Sequence, residues 1–203
     1  MKFLITGDLV INNQYNIDFI NKDIVDLFAS SDFNIVNLEA PVTDSKEKIF
    51  KTGPNLKADA NSTLNILKTL HINLVTLANN HIKDYTDAGV KDTLQFCEKN
   101  NISTVGAGMN LENAKKTFYL NKDEKKIAFI NFAENEWASA SKSSAGSHPM
   151  DIIENVHEIK NAKQDSDFVI VIVHGGHEYY HLPSPRMQKQ YRFYAENGAD
   201  LIV

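Results

Sequence analysis

Short apolar runs and amphipathic stretches alternate along this chain, and the alternation predicts repeated strand, loop and helix units. Phe3-Leu4-Ile5 is a brief apolar run that ends at Gly7-Asp8. Ile17, Ile20, Ile24, Leu27 and Phe28 then fall on one helical face. Phe33 to Leu38 returns to strand character and stops at Glu39-Ala40-Pro41, because proline cannot donate to a sheet ladder. The polar stretch from Thr43 to Asp59 reads as a loop. Leu64, Leu67 and Leu70 mark a second helix, with the Asn61-Ser62-Thr63 cluster as its cap. Leu74-Val75-Thr76-Leu77 is the third strand and runs into Ala78-Asn79-Asn80-His81.

The next helix covers Thr86 to Lys99, and Ile102 to Val105 is a strand closed by Gly106-Ala107-Gly108. Between Phe118 and Phe132 two β-like runs flank Asn121-Lys122-Asp123-Glu124, a hairpin signal. Glu136 to Met150 is rich in Ser, Ala and Gly and reads as a mobile loop over one end of the sheet. Asp151 and Glu154 have the spacing of a capping box, and Ile152, Ile153, Val156 and Ile159 give that helix its buried face. Phe168 to Val173 is unbroken and apolar, the mark of a strand buried on both faces, and His174-Gly175-Gly176-His177-Glu178-Tyr179 follows it. A last helix leads to Gly198, and Asp200-Leu201-Ile202-Val203 begins another strand. The pattern implies a layered α/β fold with a largely parallel sheet and one hairpin addition. No internal repeat or linker divides it, so residues 1–203 form one domain.

Composition narrows the function classes. A chain of 203 residues can bury one sizeable core, and 42% hydrophobic with 23% charged residues is ordinary for a globular domain. The net charge of -5 and the lack of any Lys/Arg cluster argue against a nucleic-acid partner. Cys97 is the only cysteine, so no intramolecular disulfide forms; it follows Val90 and Leu94 at helical spacing and reads as a small buried hydrophobe. No apolar run reaches membrane-spanning length and no charged-then-apolar leader opens the sequence, so the chain as written reads as soluble and untargeted. No Gly-x-Gly-x-x-Gly or P-loop pattern follows the first strand, which disfavours a nucleotide-binding domain.

The candidate chemistry sits at strand ends. Asp8, Glu39, Asn80-His81 and His174 each stand just beyond the C-terminal end of a predicted strand, and in an open α/β sheet those ends converge on one crevice. Two carboxylates, an amide and imidazoles suit a divalent ion such as Mn²⁺, Zn²⁺ or Fe, while the absence of thiolates argues against a structural zinc site. Each residue alone also fits an ordinary structural role. Asp8 suits a turn or N-cap, Glu39 a solvated loop, Asn79-Asn80 a left-handed turn pair, and His174 a satisfied strand-end histidine. Together the four placements favour a site. His71, His148, His157 and His181 end no strong strand and read as surface or structural, and His177 has no assigned role.

Five segments resemble, in content and order, the poly-γ-glutamate capsule-synthesis (CapA-type) family, relatives of the metallophosphoesterases. They are Gly7-Asp8; Asn37-Leu38-Glu39-Ala40-Pro41; Leu77-Ala78-Asn79-Asn80-His81 with Asp84; Gly106-Ala107-Gly108; and His174 through Glu178-Tyr179. The resemblance runs from Lys2 to Val203 and implies an α/β/β/α layered sandwich with two metal ions at the strand ends. On that basis Asp8, Glu39, Asn80 and His174 match metal-ligand positions, His81 matches the histidine that protonates a leaving group, and Asp84 orients it. Glu178 and Tyr179 would line the substrate side. The implied activity is metal-dependent hydrolysis of a phosphoester or amide in capsule or poly-γ-glutamate metabolism. An anionic polymer or phosphoester would be the substrate and capsule-synthesis membrane proteins the partners, since family members are often at the cell surface. A non-catalytic polymer-binding or scaffold subunit is the rival reading. Two departures stand out. Gly175 occupies a position where the family commonly carries Trp, which implies a more open pocket wall. A paired-histidine motif is expected just after Val203. The sequence therefore reads as truncated at its C-terminus, with a partial metal shell, a poorly filled site, and a last strand frayed or paired with a neighbouring molecule.

Overall fold

A computed structural model describes residues 1–203. Its first sheet is parallel and ordered as in the chain: β1 (Phe3–Leu9), β2 (Phe33–Leu38), β3 (Ile72–Thr76) and β4 (Ser103–Val105). The crossovers carry α1 (Lys22–Ala29), α2 (Ala60–Thr69) and α3 (Thr86–Lys99). The two-residue strand β5 (Ala107–Gly108), the short helix α4 (Leu111–Ala114) and the hairpin β6 (Phe118–Lys122) and β7 (Lys125–Ala133) follow. Then come β8 (Gly146–Ser147), α5 (Ile152–Asp165), β9 (Phe168–His174), α6 (Pro185–Glu196) and β10 (Leu201–Ile202). The second sheet has the order β10-β9-β7-β6, with only the β6–β7 pair antiparallel.

Alternation along each strand explains the layering. In β2, β7 and β9, residues of one parity (Phe33 and Ile35; Ile127 and Phe129; Ile170 and Ile172) fill the space between the two sheets. Residues of the other parity face helices. Val36 and Leu38 pack with Leu67, Val90 and Cys97 under α2 and α3, and Ile130, Phe132, Val169 and Val171 pack with Val156, Ile159 and Tyr194 under α5 and α6. Apolar residues on both faces are what made β9 read as an unbroken run. The result is the α/β/β/α sandwich. Phe3, Phe33, Phe118 and Phe129 close the inter-sheet core, with ring centroids 5.8–6.2 Å apart. Cys97 is fully buried, and burial pushes its thiol up to about 12. No helix is long and apolar enough to cross a membrane.

The structure corrects several local expectations. The predicted first helix is broken: Ile17 lies in a 3₁₀ turn, Asn21 caps a separate α1, and of the apolar set only Phe28 is buried there while Ile24 and Leu27 are exposed. The cap of α2 is Asp59, whose Oδ1 accepts from the Ser62 N–H at 2.8 Å; Ser62 and Thr63 are buried in the first turn. Asp151 does cap α5, accepting from the Ile153 and Glu154 N–H groups, but the reciprocal bond to its own N–H comes from Asn155. Ile152 and Ile153 are exposed, and Asn155, Val156, Ile159 and Ala162 form the buried face. Residues 136–150 are not a loose loop. Their β8 pairs with β5, and Ala138, Ala140, Ala145, Ser147 and His148 are buried. A Cβ at Gly146 would stand 2.1 Å from the Ala138 carbonyl oxygen, so the small residues there serve close packing rather than freedom. β10 is ordered rather than frayed: it pairs with β9 in parallel register, Leu201 opposite Ile170, and forms the edge of the second sheet.

Candidate metal centre

Each chemical side chain is positioned by a distinct local device. The β1–β2 register slips between Ile5 and Asp8, and this bulge re-aims Asp8, which lies inside β1 rather than beyond it. Glu39 is the first residue after β2, its N–H held by the Leu9 carbonyl at 3.2 Å. After β3, Asn79 builds the turn that presents Asn80 and His81. Its Oδ1 accepts from the His81 and Ile82 N–H groups at 3.0 and 2.8 Å, and its Nδ2 donates to Asn37 Oδ1 and the Leu38 carbonyl at 3.1 Å each. Neither Asn79 nor Asn80 adopts a left-handed backbone, so side-chain bonds hold this turn. His174 is the last residue of β9.

These elements bring Asp8, Glu39 and His174 together, with one ligand atom of each within 4.8 Å of the others. His174 Nδ1 is 3.6 Å from Asp8 Oδ1, and His174 Nε2 is 3.9 Å from Glu39 Oε1 and 3.1 Å from Asn80 Oδ1. Asn37 Nδ2 donates to Asp8 Oδ1 at 2.6 Å and lies 3.2 Å from His174 Nδ1. All four predicted ligands line a cleft of about 980 Å³ at this edge of the sandwich.

The electrostatics fit a cation. The neighbouring His174 imidazole, then the Asn37 amide, hold the Asp8 carboxyl below its ordinary range despite partial burial. Burial, then the charge of Asp8, pushes Glu39 up. Burial pulls His174 down, but the carboxylates of Asp8 and Glu39 outweigh it and leave the imidazole raised. Two carboxylates, one of them destabilised by the other, with an imidazole and a nearby amide oxygen, make a donor set that a divalent ion would fit.

His81 lines the same cleft. Its Nδ1 lies 2.7 Å from Oδ2 of Asp84, a fully buried carboxylate that also accepts from the Leu56 N–H at 2.6 Å. The family model described as bacterial capsule synthesis protein PGA_cap matches residues 3–203. The chain belongs to this family. It is 30% identical over 199 residues to the capsule biosynthesis protein CapA of Bacillus anthracis, covering 94% of this chain and 48% of that protein. With the PGA biosynthesis protein CapA of Bacillus subtilis (strain 168) it shares 33% identity over 197 residues, covering 95% and 52%. The chain thus spans about half the length of the curated relatives it matches.

Solved structures share the fold at low identity. One is a protein from Staphylococcus aureus described as a 5′-nucleotidase, in complex with alpha-ketoglutarate. Its TM-score is 0.56 at 13% identity, over 98% of this chain and 44% of that one. A hypothetical protein from Thermus thermophilus gives 0.57 at 16%, over 100% and 66%. These likenesses show that this member of the capsule-synthesis family shares its layered α/β sandwich fold with both structures.

The remaining positions divide. Glu178 lines the cleft, whereas Tyr179 is 93% exposed at φ +64° and does not; Tyr180 lines it instead. His177 and His181, given no chemical role from sequence, also line the cleft, with Glu136 and Trp137 from the 136–150 segment. His148 is structural: it is buried, with Nδ1 3.1 Å from the Asn131 carbonyl and Nε2 3.1 Å from Glu158. The wall at Gly175 is not simply open. A Cβ there would come 2.6 Å from Glu134 Cγ, and Glu134 is held by an ion pair with Arg186 of α6. Sequence reasoning gave no role to Asn37 and only a turn role to Asn79, although both stand inside the motifs, and it missed Lys51 altogether. Lys51 lines the cleft yet is paired with Asp84, and no local pattern in its polar loop signals that.

Proposed function

We propose that this chain is the metal-dependent hydrolase domain of a protein serving capsule or poly-γ-glutamate biosynthesis, acting on a phosphoester or amide bond of an anionic substrate. The supporting observation is the convergence of Asp8, Glu39 and His174 to within 4.8 Å in the cleft that also holds the His81–Asp84 pair. Asp8, Glu39, Asn80 and His174 would hold the ion, of the Mn²⁺, Zn²⁺ or Fe class, and a second ion would need donors beyond these four. When bound, the ion supplies Lewis-acid activation of water and neutralises charge on the substrate oxygens. Asn37 keeps Asp8 aimed by donating to its Oδ1. His81 gives its Nδ1–H to Asp84, an assignment made from the hydrogen-bond geometry, which leaves Nε2 for the cleft. A proton taken up at Nε2, with the Asp84 carboxylate balancing the imidazolium charge, would then pass to the departing group. Glu178, Tyr180, His177 and His181 stand on the substrate side. Capsule-synthesis membrane proteins would be the partners of the whole protein.

The test loads the protein with Mn²⁺, Zn²⁺ or Fe²⁺ and measures bound metal beside turnover of phosphoesters and γ-glutamyl peptides. His81→Ala should keep the metal and lower turnover by about 10²–10⁴-fold, the usual worth of general acid catalysis. Asp8→Ala and His174→Ala should lower the metal content itself. Bound metal without turnover, in this chain and in a version of full family length, would support the polymer-binding reading instead.

A further inference from the structure

The loop between β2 and α2 closes around Asp84. The Ile49 N–H and the Asn55 side-chain amide donate to the Asp84 backbone carbonyl at 3.1 and 3.3 Å, and the Leu56 N–H donates to Oδ2. From the same loop Lys51 turns inward. Its side chain is 2% exposed, its Nζ forms an ion pair with Asp84 Oδ1, and it stands 3.1 Å from His81 Nδ1. Removing an ammonium from water this completely is expensive, and the pairing with one carboxylate is weak evidence of a gain in stability. Its placement is better explained by what it does to the carboxylate.

The bonding around Asp84 leaves one consistent arrangement. Oδ2 lies 2.7 Å from His81 Nδ1, and two acceptors cannot sit that close, so Nδ1 carries a proton and donates it. Lysine offers only donors, so the 3.1 Å approach of Nζ to Nδ1 is not a competing bond; Nζ instead pairs its charge with Oδ1, which has no hydrogen-bond partner of its own. Lys51 takes Oδ1, while His81 and Leu56 take Oδ2. Without Lys51 the buried Oδ1 would lose its cation, and the carboxylate could turn to spread its remaining donors over both oxygens.

We propose that Lys51 is a positioning residue of this site. By holding Asp84 Oδ1 it fixes the carboxylate that sets the Nδ1–H tautomer and ring orientation of His81, and thereby presents Nε2 to the cleft. The inference rests on the role proposed for His81 and adds the residue that enforces it, from a loop carrying none of the site's motifs. Groups that orient a catalytic ring from behind are worth about 10–100-fold when removed.

The experiment uses the metal-loaded protein and Lys51→Met, which keeps length and removes charge. Turnover should fall about 10–100-fold, with KM and metal content changed by less than about twofold. The ring ¹⁵N spectrum of His81 should change from a single Nδ1–H tautomer to a mixture. In an Asp84→Asn background, adding Lys51→Met should alter turnover by less than about twofold, because its route through the carboxylate is already gone. Full turnover with an unchanged ring spectrum in Lys51→Met, or equal losses in both backgrounds, would overturn the proposal. If Lys51→Met does not fold, the wild-type spectrum still decides: a His81 ring protonated on Nε2, with a bare Nδ1 accepting from Lys51, contradicts it. The spectra need no substrate, so a wild-type protein with the expected tautomer but no turnover would sink the hydrolase reading and leave the positioning of His81 by Lys51 intact.

Discussion

The two sides of the cleft are built differently. On the first-sheet side Asn37, Asn79 and Asp84 are buried, and the side chains of Asn79 and Asp84 are bonded to neighbours that fix the Asn79-Asn80-His81 turn. On the second-sheet side His174 closes a strand, and residues 175–183 after it are exposed and irregular. Metal donors and a proton-transfer group must be held to fractions of an ångström, which buried hydrogen-bond networks can do. A wall that receives a large flexible substrate has no such demand, and loops on a rigid scaffold commonly supply it. Contacts join the sides: Asn37 and Asn80 reach His174, and Asn131 of β7 accepts from the Ala78 N–H at 2.8 Å while donating to the Ile172 carbonyl at 3.0 Å.

The largest expected effect concerns the shared donors. A metal needs neutral His174, whereas in the metal-free protein the flanking carboxylates favour its protonated form. Because that folded-state pKa is raised, its stabilising contribution is complete below the ordinary histidine range and is lost as pH rises through the raised value. Glu39, also raised, works in the same direction, and Asp8, lowered, contributes only above its ordinary range. Metal affinity measured by titration should thus fall roughly tenfold per pH unit on acidification below the His174 titration. Over the same interval the melting temperature of the metal-free protein should gain from this group. Affinity independent of pH would remove His174 from the donor set.

A smaller effect tests whether the two sides are coupled. Asn131→Leu keeps the branched shape but takes the side-chain acceptor from the Ala78 N–H and the side-chain donor from the Ile172 carbonyl in a 1% exposed position. The loss should be about 1–3 kcal/mol, and metal should bind more weakly because Ala78 leads into the Asn79-Asn80-His81 turn. Lower melting temperature with unchanged metal affinity would show the sides to be independent. The smallest effect belongs to the open wall: Tyr179→Ala should shift stability by no more than about 0.5 kcal/mol and leave turnover intact, while Tyr180→Ala should raise KM. A large loss at Tyr179 would mean that substrate reorders the 175–183 segment.

What was legible in the sequence follows the same divide. That Asp8, Glu39, Asn80 and His174 meet at one edge could be read because chain topology alone sends parallel strand ends there; that Asp8 lies inside β1, re-aimed by a bulge, could not. The α3 boundaries, Thr86 to Lys99, coincide with the periodic pattern. The first helix could not be read so well, because its apolar spacing continues across a break made by the Asn16 and Asn21 caps. Residues 136–150 were illegible for a different reason: Ser, Ala and Gly favour loops, but they also let backbones pack closely, and only the β5–β8 pairing tells which applies. Lys51 lies far from Asp84 in sequence, and a lone lysine in a polar loop carries no signal of burial.

The most direct measurement is anomalous diffraction from crystals of this protein soaked with Zn²⁺, collected at the zinc edge. One strong peak is expected in the cleft, about 2.0–2.2 Å from Asp8, Glu39 and His174 donor atoms and within reach of the Asn80 Oδ1. It should vanish in crystals of His174→Ala while the His81–Asp84 pair stays in place. No peak between those residues, or one held by His177 and His181 on the open wall instead, would contradict the assignment of this cleft as the metal centre.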